Sequence, residues 1–113
     1  MIRGEIYWAD YGIPYGSEPG FKRPVVIVQN DAFNIKELHT VLAVPLTTNI
    51  ILADAPGNVF IDKIDSGLPK DSVAVVSQTG VIDKARISEK AGILPFDNMH
   101  EIDAGLCLIL GLN

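Results

Sequence analysis

The chain is poor in the residue types from which most small sites are built: one cysteine, one tryptophan and two histidines among 113 residues. A lone thiol excludes an intramolecular disulfide and agrees with a reducing compartment. Cys107 lies among Leu106, Leu108 and Ile109, whereas a reactive thiol needs an electropositive, partly exposed setting, so packing is its expected role. His39 and His100 stand far apart, in neither an HxxxH nor an HxxE spacing, and no metal ligand or other cofactor is expected. No apolar run reaches the ~18 to 20 residues of a membrane span, because glycine interrupts even the C-terminal AGLCLILGLN. The N-terminal MIRGEIYWAD is acidic and alternating where a signal peptide is basic and then apolar. A cytoplasmic chain without membrane contact is expected. Positive charge is also scarce, with Lys+Arg 9 against Asp+Glu 14 and a net charge of −5. That balance excludes a broad duplex-binding face and leaves only a short single strand held at a few clustered cations.

What is present reads as one domain, residues 1–113, large enough for a single core. Ile2 to Asp10 alternates, with Ile6 and Trp8 on one side and Glu5 and Tyr7 on the other, which predicts an amphipathic strand. Tyr11 to Phe21 carries Pro14, Gly16, Pro19 and Gly20 and predicts a long loop. Pro24 opens a strand without losing a needed donor, and Val25 to Val28 is apolar throughout, as in a strand buried on both faces. A short helical turn is expected within Ala32 to Leu38. Thr40 to Leu46 predicts a third strand, with Pro45 marking a bulge or an exit from the ladder. Further strands are expected over Asn58 to Asp62 and Ser72 to Gln78, and a brief helix or short strand pair within Ile82 to Leu94. Asp97 is the expected N-cap of a C-terminal helix with Met99, Ile102, Leu106, Ile109 and Leu110 on one face. Five or six short strands and one terminal helix imply an α+β, mainly β fold, a small barrel-like sheet covered by the helix.

The chemistry lies in polar groups at strand ends. Gly16 and Gly20 make no phosphate loop, since no GK[ST] follows them. Ser17, Glu18, Lys22 and Arg23 gather at the entrance to the second strand, and Thr47, Thr48 and Asn49 at the exit of the third. If those strands are antiparallel neighbours, the two sets meet, and Ser77 and Gln78 complete the same rim. A guanidinium forks to two phosphate oxygens while a hydroxyl donates to a third, which suits a phosphodiester. Two blander readings stand beside this one: Arg23 in a surface pair with Glu18 or Asp31, and Thr47 capping a turn.

Four blocks in order, RGEIYWAD, GSEPGFKRPVVIVQND, TVLAVPLTTN and DSVAVVSQTGVIDKARI, resemble the MazF/PemK-like toxin family over nearly the whole chain. The resemblance implies an SH3-like β-barrel with a C-terminal helix, a homodimer, and metal-independent cleavage of single-stranded RNA at short motifs. It implies a cognate antitoxin partner, with DNA contacted only through that antitoxin. On matching positions it makes Arg23 and Thr47 catalytic and assigns RNA contact to the loop, so Ser17, Gly20 and Lys22, with Thr48, Asn49, Ser77 and Gln78 on the rim, are expected to touch RNA. Gly80 stands where several members carry an arginine before the IDK block, which removes a second cation, and Pro19 replaces a common glutamine.

The implied reaction is attack of the ribose 2′-OH on phosphorus, giving a 2′,3′-cyclic phosphate and a 5′-OH end. Arg23 is the expected electrostatic stabiliser and Thr47 a donor. A guanidinium stays protonated in water, so Glu18 is the easier candidate for the base. Two other function classes compete. CcdB-type toxins carry the same barrel and bind DNA gyrase through the C-terminal helix, and a catalytically silent binding module is the third reading.

Overall fold

The computed structural model describes residues 1–112. Seven strands form the ladder: β1 (Glu5–Asp10), β2 (Lys22–Ile27), β3 (Thr40–Thr47), β4 (Val59–Ile61), β5 (Ser72–Ala74), β6 (Gly80–Asp83) and β7 (Ile87–Ile93). Two single helical turns, α1 (Asp31–Asn34) and α2 (Lys63–Ser66), precede the one long helix, α3 (Phe96–Leu110). The strand order is β4-β5-β3-β2-β1-β7, with β6 also on β3. The ladder does not close, since β4 and β7 remain its ends, so the expected barrel is an open one within the expected mainly β class.

The register follows from the apolar runs. β2 pairs antiparallel with β1 and with β3, and both faces of β2 are covered. Val26, Val28, Val44 and Leu46 enter a core with Ile6, Met99 and Ile102. Val25, Ile27, Val41 and Ala43 enter a second cluster with Ala9 and Ile82. A register slip of one residue would exchange these sets, and here both sets are buried, so alternation alone does not fix the pairing.

Pro45 marks a change of partner. The edge of β3 that faces away from β2 pairs with β6 over Thr40–Ala43 and with β5 over Leu46 and Thr47. Pro45 offers no N–H at the switch, and its carbonyl instead accepts from the Val75 amide at 3.1 Å. The chain then makes a 3-10 turn, Val76–Gln78, where the sequence predicts the end of the fifth strand.

Four other expectations shift. Glu5, placed on the polar side of β1, is buried at 6% exposure beneath Lys90 of β7. The segment after Gly80 gives β6 and β7, which pair with β3 and β1 rather than with each other. Helix α3 starts one residue before Asp97, with Pro95 at the cap, and Asp97 sits in the first turn, where the dipole favours it. Met99, Ile102 and Leu106 pack on the core as expected, but Ile109 and Leu110 are exposed because the helix outruns the sheet. Gly105 lies on the packed face, so close to the Gly57 carbonyl that a Cβ would meet it. Gly111, at φ 69°, ends the helix, and the Leu112 amide returns to the Cys107 carbonyl at 2.9 Å. Among the described residues no helix is long and apolar enough to cross a membrane.

Candidate active site

The register of β2 on β3 sets Val25 across from Pro45, and continuing it by two residues brings Arg23 abreast of Thr47. On its other edge Thr47 pairs with Val73 of β5. The end of β3 therefore lies between the beginnings of β2 and β5. A hollow of about 320 Å³ opens there, lined by Lys22, Arg23, Thr47, Thr48, Lys70 and Ser72 with Trp8, Pro24, Leu46, Leu68 and Pro69. Three of these residues are cations and none is a carboxylate.

Arg23 is half-buried, and its Nε donates to the Gly20 carbonyl at 3.2 Å, which fixes the stem and leaves the terminal nitrogens for a ligand. Among the described residues Arg23 forms no ion pair, with Glu18 or with Asp31. Asp31 instead accepts from the Arg3 amide and from Asn34, which together hold its carboxyl below the usual range. Thr47 Oγ1 accepts from the Asn49 amide at 3.2 Å. That is the turn-capping role, yet it uses only a lone pair and leaves the hydroxyl proton to donate elsewhere.

The loop between β1 and β2 is pinned at its neck. The Tyr11 amide donates to the Phe21 carbonyl at 2.8 Å, and the Phe21 amide to the Gly12 carbonyl at 2.6 Å. Phe21 takes a left-handed φ of 58°, a strained choice for an aromatic residue, and the next residues are Lys22 and Arg23. Gly20 is buried against Pro14, where a Cβ would come within 2.5 Å of the ring. It does not line the hollow, and its carbonyl serves Arg23.

The other expected residues gather elsewhere. Ser17 and Glu18, with Ser77 and Gln78, line a second hollow of about 640 Å³ together with Tyr11, Tyr15 and Gly80. Gln78 Nε2 donates to the Ser17 carbonyl at 3.2 Å and ties the loop to the turn after β5. The structure thus brings Arg23, Thr47, Lys22 and Thr48 together, and Ser17, Glu18, Ser77 and Gln78 together, as two groups. Asn49 lines neither hollow. Burial pushes the Tyr11 phenol up to about 12, with the neighbouring Arg23 guanidinium pulling the other way. Tyr11 is therefore a neutral donor at any physiological pH.

Lys70 and Ser72 were not singled out by the sequence reading. The signal was available in GLPKDS, a cation at the mouth of a strand as in FKRPV, but its use required knowing that β5 joins β3 beyond Pro45. Trp8, on the same side of β1 as Ile6, packs on the core and also forms a wall of the first hollow.

Comparison with known proteins bears on this geometry. The profile of the PemK-like, MazF-like toxins of type II toxin-antitoxin systems matches residues 2–110. Endoribonuclease MazF6 of Mycobacterium tuberculosis is 44% identical over 112 residues, which cover 99% of this chain and 98% of that one. An endoribonuclease from a mycobacterial species, solved in complex with its cognate antitoxin, superposes with a TM-score of 0.80 at 28% identity, covering 100% of this chain and 97% of that chain. MazF from Deinococcus radiodurans, at 22% identity over 98% of this chain and 96% of its own, shares the fold with a TM-score of 0.81.

Proposed function

The chain belongs to the PemK-like, MazF-like toxins of type II toxin-antitoxin systems, and from that membership we propose that it is a metal-independent endoribonuclease cutting single-stranded RNA by transesterification. The observation that carries this reading is the first hollow, with three cations, two threonines and no carboxylate in a chain of net charge −5. Such a donor set suits a phosphate and offers a metal ion no carboxylate ligand.

In the reaction the ribose 2′ oxygen bonds to the adjacent phosphorus while the bond from phosphorus to the 5′ oxygen breaks. The 2′ proton leaves, a proton reaches the 5′ oxygen, and the products are a 2′,3′-cyclic phosphate and a 5′-OH end. The Arg23 guanidinium forks to the non-bridging oxygens as their charge grows, and the Thr47 hydroxyl donates to the same group. Trp8 offers a flat face for a sugar or base. The second hollow, with Tyr15, Ser17, Glu18 and Gln78, carries the mixture of aromatic and hydrogen-bonding groups that reads unstacked bases. Glu18 lines the second hollow and not the first, which suits it to contact RNA there and not to stand beside the 2′ oxygen of a phosphate held at Arg23 and Thr47.

A homodimer and a cognate antitoxin complete the proposal. The antitoxin complex of the mycobacterial relative supports the second, and an acidic segment of such a partner would be drawn to the same unpaired cations as RNA. A gyrase-binding toxin has no chemical need of Arg23 beside Thr47. The test is incubation of the purified protein with mixed RNA in EDTA, followed by identification of the fragment ends. Cyclic phosphate and 5′-OH ends are expected, and Arg23→Ala should fold normally while losing about 10²- to 10³-fold in rate. RNA left intact by the wild type, or a fully active Arg23→Ala, contradicts the reading.

A further inference from the structure

Lys70 reaches the first hollow from the side opposite Arg23, on a segment whose backbone is fixed at both ends. Gly67, at φ 74°, closes α2 with its amide on the Lys63 carbonyl at 3.0 Å, and Leu68 turns into the larger core. Pro69 restricts the next backbone angle. Asp71 Oδ1 accepts from the Lys63 amide at 2.9 Å, and buried Ser72 opens β5. Lys70 thus hangs between two buried anchors, Leu68 and Ser72, with its side chain exposed.

β3 separates the two cations. Arg23 lies abreast of Thr47 on one edge and β5 pairs at Thr47 on the other. Neighbouring strands are ~4.8 Å apart, so β2 and β5 stand roughly 10 Å apart across Thr47, and Lys70, three residues before Val73, is displaced by up to about 10 Å more along the chain. Both side chains are long and line the same hollow, so they close on a phosphodiester held between them by leaning inward. Arg3 is paired with Asp103 and Lys90 with Glu5, but Lys70 has no ion-pair partner among the described residues. Acidic residues outnumber basic ones in the chain, yet none lines this hollow. Keeping Lys70 there unpaired leaves its charge available to an anion.

We infer that Lys70 is a second cation acting on the scissile phosphate, an inference that rests on the reading of the first hollow as the cutting site. Arg23 forks to the non-bridging oxygens from one side and the Lys70 ammonium donates to the phosphate from the other, with Thr47 between them. Both charges favour the phosphorane-like state, in which the phosphate carries more negative charge than in the substrate.

The experiment compares the wild type with Lys70→Ala, Lys70→Arg and Arg23→Ala, and with Lys63→Ala as an exposed lysine outside both hollows. Each is assayed on one short single-stranded RNA that the wild type cuts, with melting temperatures measured alongside. Lys70→Ala should melt like the wild type and lose about 10- to 100-fold in kcat, with KM changed far less. Lys70→Arg should recover most of the loss, which a purely structural role would not require, and Lys63→Ala should match the wild type. If Lys70→Ala keeps its kcat, or loses only in KM, while Arg23→Ala is inactive, the role of Lys70 is overturned and the cutting site stands. If Arg23→Ala is as active as the wild type, both fall. Should Lys70→Ala melt early, Lys70→Gln, which keeps the stem, is read in its place by the same criteria.

Discussion

Glu5 is a carboxylate that the fold has enclosed and then satisfied. Burial alone would raise its pKa, but Lys90 at 2.5 Å, the Ile2 amide at 2.6 Å and the Tyr7 hydroxyl at 3.0 Å outweigh that and hold it below the ordinary 4.5. The folded chain therefore binds this proton more weakly than the unfolded chain does. The resulting stability is complete above pH 4.5 and is lost as the pH falls through the lower folded value. Urea midpoints of the wild type should fall with acid below that pH, whereas Glu5→Gln should start lower at pH 7 and fall less. Parallel curves for the two proteins would remove Glu5 as the cause. Nothing in the alternation of β1 revealed this burial, because the partner, Lys90, is reached only through the pairing of β1 with β7. Arg23 and Thr47 were legible for the opposite reason. They lie at the facing ends of two consecutive strands, so they meet once those strands pair as antiparallel neighbours, the condition under which the sequence groups them. Glu18 was grouped with them by nearness in sequence, and the pinned loop carries it to the second hollow.

At the scale of elements, the seam between α3 and the rest of the chain is set by a side chain that is missing. Gly105 lies on the packed face of the helix against the Gly57 carbonyl, with Val76 Cγ1 3.2 Å from where a Cβ would stand. Helix propensity favours Gly105→Ala by about 1 kcal/mol, and overpacking opposes it by about 1 to 3 kcal/mol. The carbonyl belongs to backbone with φ 85°, which has little room to retreat, so overpacking should win. Gly105→Ala is expected to lower the urea midpoint, and a midpoint at or above that of the wild type would show that the seam relaxes. The apolar spacing in FDNMHEIDAGLCLIL predicted the helix and its inner face. It overran at Ile109 and Leu110, since the sequence does not state where the sheet beneath the helix ends. It also could not show that one edge of β3 serves both β5 and β6, because those pairings join segments distant in the chain.

For the whole molecule, charge is the quantity that matters. A chain with a net charge of −5 repels a polyanion at long range, so attraction has to come from local clusters, of which the first hollow with its three cations is one. Each phosphate neutralised on a single strand contributes about −0.7 to the slope of log K against log salt. A short RNA held by Lys22, Arg23 and Lys70 should therefore show a slope of about −2. Titration of the wild type with a fluorescent oligonucleotide made uncleavable by 2′-deoxyriboses, at several salt concentrations, measures it, and a slope steeper than about −4 would require a wider basic surface than this hollow. The change of neighbours at Pro45 divides the rim into a stiff part and a pliant one. β3 is held by β2 up to Pro45 and by β5 at Leu46 and Thr47, so Thr47 sits where the backbone has little freedom to shift. Tyr11 to Phe21 and Gly67 to Asp71, held mostly at their ends, border the hollows without entering the ladder. Substitutions along these two segments can therefore reshape the walls of the hollows while the ladder that seats Arg23 and Thr47 stays as it is.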